Sequence, residues 1–106
     1  MKLLENFSEL EEYDAGIAEE LLENYEEGSW QDDTLYVYDN AEELAHYELT
    51  EGWYAERFAD ADYNGAPDPM DFIDLELLGD SLISTWDESV YHLLNDGRIV
   101  YTPYGW

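Results

Sequence analysis

The sequence predicts an α+β domain, with two or three helices packed on a small antiparallel sheet that ends in a C-terminal hairpin. Three observations carry this. Apolar residues recur with a 3.6-residue period early in the chain. Short β-branched and aromatic runs follow. Asn95-Asp96-Gly97-Arg98, a hairpin turn signal, lies between two such runs. Hydrophobic residues make up 45% of the 106 and aromatics 16%, enough apolar surface to offset the entropy of ordering, which disordered acidic tails lack. A single acidic domain, 1–106, fits this length; two small lobes sharing one core, 1–52 and 53–106, are the alternative.

Each element has its own signal. Ser8 followed by Glu11 reads as a capping box, and Leu10, Tyr13, Ile17, Ala18, Leu21 and Tyr25 then keep the helical period up to a stop at Gly28. One helix is expected over 8–27. Residues 34–38, TLYVY, read as a strand. Asn40 with Glu43 is a second capping box, opening a helix through Leu44, Ala45 and Tyr47 towards Glu51. Asn64-Gly65, Pro67 and Pro69 mark a loop. A further helix is expected over 70–78 with Gly79 as its cap, and 81–86 as strand or irregular chain. Residues 90–94 and 99–101 flank the hairpin turn. The aromatics Tyr36, Tyr38, Tyr47, Phe72, Trp86, Tyr91 and Tyr101 are expected in the core. The apolar tail Tyr101–Trp106 either packs over the sheet or joins two copies into a homodimer. No internal repeat stands out.

Charge dominates everything else. There are 28 Asp and Glu against 3 Lys and Arg, a formal net charge of −25. Like-charge repulsion excludes nucleic acid and anionic membranes as direct partners. Cysteine is absent, so neither disulfides nor thiolate chemistry is available. No apolar run approaches the roughly 20 residues that span a bilayer, and no signal peptide is expected at the N-terminus. The expected location is the cytoplasm.

The acids of the first helix are patterned. At 100° per residue, Glu9, Glu12, Glu19, Glu20, Glu23, Glu26 and Glu27 fall within an arc of about 120° opposite the apolar stripe. Asp14 is the exception, near the apolar side. Over about 27 Å of helix this gives one charge per roughly 4 Å, close to the 3.4 Å per phosphate of a DNA strand. A solvated helix intersperses Lys with Glu, and this one holds no cation. With Asp32, Asp33, Glu42, Glu43, Glu48 and Glu51, these acids are expected to stand in for phosphates before a basic DNA-binding protein.

A family resemblance points the same way. Phe72-Ile73-Asp74, four residues, Gly79, two residues and Leu82 resembles the aromatic-Ile-Asp-x4-Gly-x2-Leu pattern near the end of ArdA-type antirestriction proteins. Leu44-Ala45-His46-Tyr47, preceded by Glu42 and Glu43, resembles a helix of that family. The resemblance covers the last two thirds of the chain and implies a short form without the family's N-terminal domain. It implies an elongated, dimeric DNA mimic from a phage or mobile element, occupying the DNA groove of type I restriction–modification enzymes in a bacterial host. An anti-CRISPR protein blocking the nucleic-acid channel of a CRISPR effector is the first alternative.

Competing chemistry is thinner. Asp60-Ala61-Asp62-Tyr63-Asn64-Gly65 matches the start of a calcium loop, with Asp68 and Asp71 at its ninth and twelfth positions. An Asp at the twelfth position is short for a bidentate ligand, and Pro67 lacks an N–H for loop pairing. A calcium-binding or acidic protein-interaction module is therefore the second alternative, and no cofactor is expected otherwise. His46 and His92 are too few and too far apart for a metal site; His46 is read as a polar-face residue of a helix, and His92 alternates with Tyr91 in a strand of which one face or the other is solvated. With 28 carboxylates, paired acids carry no catalytic information, and no nucleophile motif is present. The sequence predicts a protein that is not an enzyme.

Overall fold

The computed structural model describes residues 1–52, 54–55, 65–67 and 69–106. In chain order they form β1 (Lys2–Leu4), α1 (Phe7–Tyr13), α2 (Ala15–Asn24), a 3-10 turn (Ser29–Asp32), β2 (Leu35–Tyr38), α3 (Ala41–Thr50), a second 3-10 turn (Pro69–Phe72), α4 (Leu75–Thr85), β3 (Tyr91–Leu93) and β4 (Ile99–Tyr101). The four strands make one antiparallel sheet in the order β1-β2-β4-β3. The α+β class, the small antiparallel sheet and the C-terminal hairpin are as expected from the sequence, with four helices among the described residues. The sheet draws strands from both halves of the chain.

Strand alternation builds two cores. Leu4, Leu35, Val37 and Val100 point to one face, where Leu10, Ile17, Leu21, Trp30 and Leu94 bury them. Tyr38 and Ile99 point to the other, against Leu44, with Tyr36, Tyr91, Tyr101, Leu82, Ile83 and Trp86 packed around. The sheet is thus covered by α1 and α2 on one side and by α3 and α4 on the other. Phe72, expected in the core, is 75% exposed at the end of the second 3-10 turn.

The expected helix over 8–27 is broken. Asp14, in extended backbone (φ −156°, ψ 101°), ends α1 by donating its N–H to Leu10 O and starts α2 by accepting from Gly16 N at 2.9 Å and Ile17 N at 3.2 Å. Its second carboxylate oxygen accepts from Arg98 Nη1 at 2.7 Å. Asp competes for backbone N–H groups inside helices, and here a distant guanidinium holds it in that role. Nor does Ser8 cap α1: Asn6 does, accepting from Glu9 N at 3.0 Å.

This cap uncovers a repeat that the sequence reading missed. Glu5-Asn6-Phe7-Ser8-Glu9-Leu10 and Asp39-Asn40-Ala41-Glu42-Glu43-Leu44 share an acid-Asn-x-x-Glu-Leu pattern. In both, Asn sits at extended angles (φ −163°, ψ 176°; φ −167°, ψ 178°) and accepts from the Glu N–H. In both, the Glu carboxylate reaches back to the N–H of the acid preceding Asn. In both, a strand leads in and the Leu is buried. The two strand–helix units lie on opposite faces: Leu10 joins one core and Leu44 the other.

Helix α4 also departs from expectation. It starts after Asp74, whose carboxylate accepts from Leu77 N at 3.0 Å, and runs through Gly79 to Thr85. Residues 81–85 are therefore helical, and Gly79 is interior. A Cβ on Gly79 would lie 2.3 Å from the Ala41 carbonyl oxygen, so glycine is what lets α4 touch the start of α3. Helices α3 and α4 are thus packed against each other. In the hairpin, Gly97 takes φ +94° and donates to Leu94 O at 3.0 Å, the positive-φ position the turn demands.

Candidate interaction surface

Among the described residues no Asp or Glu is fully buried. Glu12, Glu19, Glu23, Glu26, Glu27, Asp32, Glu42 and Glu51 are exposed, and so is Glu9, although its carboxylate also accepts from Glu5 N. The break at Asp14 divides the array: Glu9 and Glu12 ride on α1, Glu19, Glu20 and Glu23 on α2, and Glu26 and Glu27 lie beyond the α2 end at Tyr25. A single rail along one 27 Å helix, expected from helix geometry, is therefore replaced by two short helical patches and a loop.

Four of the expected surface acids are half-buried, Glu20, Asp33, Glu43 and Glu48, and three of these have structural work. Glu20 accepts from His92 Nε2 at 2.8 Å and from Asn95 N at 3.1 Å. A carboxylate only accepts, so in the neutral ring Nε2 carries the proton and Nδ1 accepts from the Tyr25 hydroxyl at 2.9 Å. Glu43 caps α3 and pairs with the N-terminal ammonium. Glu48 lies beside the core tyrosines, where burial first, and then the Glu48 charge and its hydrogen bond with Tyr91, raise the Tyr91 phenol above its ordinary value.

The described cations are engaged within the molecule. Arg98 forks between Asp14 and Asp96, 2.7 Å from each. Its hydrogen bonds to the two carboxylates raise its own already high value and hold both Asp96 and Asp14 below the usual carboxylate range. The Lys2 ammonium lies 5.7 Å from the Tyr13 ring centroid. The extents of 51 × 22 × 22 Å and the 15.5 Å radius of gyration describe a rod, against about 13 Å for a compact chain of this length. Net charge −25 along 51 Å is one per about 2 Å, close to the 1.7 Å per charge of duplex DNA.

His46 is exposed on α3, as a polar-face residue would be, and His92 is half-buried in the Glu20–Tyr25 network. That network joins residues about 70 positions apart, and no local pattern signals it. The tail packs on its own molecule: Thr102 N donates to Val90 O, Trp106 N to Ser89 O, and the Trp106 ring stacks on Tyr25. Of the calcium-loop residues, Asp60, Asp62, Asn64 and Asp68 lie outside the described residues; Asp71 is exposed in the second 3-10 turn. Among the described residues no three His, Cys, Asp or Glu are grouped to hold a metal, and no helix is long and apolar enough to cross a membrane. No family model, curated protein or solved structure matches the chain.

Proposed function

We propose that this protein is a non-enzymatic DNA mimic that blocks the DNA-binding groove of a bacterial defence enzyme, a type I restriction–modification complex in the first instance. One observation carries the reading: most of the described carboxylates are exposed, while the described arginine is locked in ion pairs. The surface field is therefore anionic with little internal compensation, at a linear density near that of duplex DNA. The resemblance of the α3 and α4 stretches to ArdA-type proteins names the target class. A cleft lined with Lys and Arg for phosphates forms charge-assisted hydrogen bonds to carboxylates. Helices packed on the sheet carry most of the acids, so little ordering is needed on binding.

The test is competition. Purified protein should displace duplex DNA from a type I restriction complex and stop cleavage. Its affinity should fall steeply with salt, by about 10³-fold or more between 50 and 200 mM if six or more cationic contacts form. Changing Glu12, Glu19, Glu23, Glu26 and Glu27 together to Lys should abolish inhibition, since all five side chains are exposed and none holds the fold. A folded variant that inhibits as well as the parent would remove the proposal.

A further inference from the structure

We infer that the cleft between the end of α2 and Trp106 is a receptor for an arginine side chain of the basic partner. The inference deepens the proposed function and rests on it for the nature of that partner. The cleft encloses about 400 Å³. Its walls are the half-buried Tyr25 and Trp106, stacked at 4.3 Å with planes 11° apart, over a floor made by the buried Trp30, which meets Trp106 edge-on at 5.4 Å. Phe7 backs Trp30 in turn, edge to face at 5.4 Å. Two exposed carboxylates, Glu26 and Glu27, line the same cleft.

Aromatic faces and carboxylates both attract a cation, the first through the ring quadrupole and the second through charge. Together they select the guanidinium over the ammonium ion. A guanidinium is flat, weakly hydrated and able to stack on a ring while pairing with a carboxylate through two N–H groups; an ammonium is a strongly hydrated point charge. Arginine is also the residue that DNA-binding surfaces present to phosphate.

The walls are fixed before any partner arrives. The Tyr25 hydroxyl is tied to His92, His92 to Glu20, and Glu20 to the hairpin N–H of Asn95. Trp30 Nε1 donates to the Glu26 carbonyl at 2.8 Å, and Trp106 N donates to the Ser89 carbonyl at 3.0 Å. Glu20, diverted from the phosphate-like surface, is thus a positioning residue for this cleft.

The whole chain, ¹⁵N-labelled, is titrated at low salt with an oligo-arginine peptide and an oligo-lysine peptide of equal length. The indole resonances of Trp30 and Trp106 are followed, with Trp86 on the opposite face as reference. The arginine peptide should shift Trp30 and Trp106 and bind about tenfold more tightly than the lysine peptide. The exposed pair of changes Glu26→Gln and Glu27→Gln should erase that preference while leaving general polycation binding. Equal affinity for both peptides with Trp106 unmoved overturns the arginine receptor but leaves the mimic reading standing. Absence of binding to either peptide overturns both.

Discussion

Asp14 is the residue on which the N-terminal half turns. Its backbone N–H ends α1, while its carboxylate starts α2 and anchors Arg98 from the hairpin. Asp14→Ala should cost about 1 kcal/mol for the cap alone. Asp14→Asn keeps the cap and removes the charge, which separates the two roles. Arg98 depresses the folded pKa of Asp14, so its contribution is complete above the unfolded value of 3.8 and is lost as pH falls through the lower folded value. Melting curves of Asp14→Asn should therefore lose part of the acid-side decline seen in the parent. An identical decline would mean that the pair with Arg98 adds nothing. Gly79 is the second pivot. Gly79→Ala pushes a methyl group into the Ala41 carbonyl and should cost about 2 kcal/mol, a drop of roughly 8–16 °C in melting temperature.

At the scale of elements, the repeated cap is the clearest case of local chemistry fixing structure. Asn6→Ala and Asn40→Ala should each destabilise by about 1 kcal/mol. Because the two caps serve opposite faces, the double variant should lose close to the sum, as denaturant unfolding would report. The start of α3 could be read from sequence because Asn40, Glu43 and Leu44 carry the whole signal within five positions. The break between α1 and α2 could not, because Arg98, which holds Asp14, is 84 positions away. Gly79 looked like a helix stop for the same reason: α3 demands its missing side chain, and nothing in residues 75–85 says so. Of the surface acids, those with no distant partner, such as Glu19 and Glu23, lie exposed as expected. Glu20 and Glu48 were drawn inward by His92 and Tyr91, far along the chain.

For the whole molecule, self-repulsion among the acids opposes folding at neutral pH. Added salt at pH 7 should therefore raise the melting temperature by screening it. On the acid side, Arg98 holds Asp14 and Asp96 below the usual carboxylate range, so their contribution is complete above the ordinary value of 3.8 and is lost as the pH falls through the lower folded values. Calorimetry across pH at two salt concentrations checks both limbs, and a melting temperature that falls with salt at pH 7 would contradict this account.

The placement of α1 and α3 on opposite sides of one sheet reaches beyond stability. Glu12 and Glu19 look out from one side, and Glu42 and Glu51 are carried on the other. A flat basic plate would leave half of these groups in water. On the proposed reading, a channel closing around the 22 Å width of the rod would engage both sets, and a partner that encircles what it holds is the one this shape would suit.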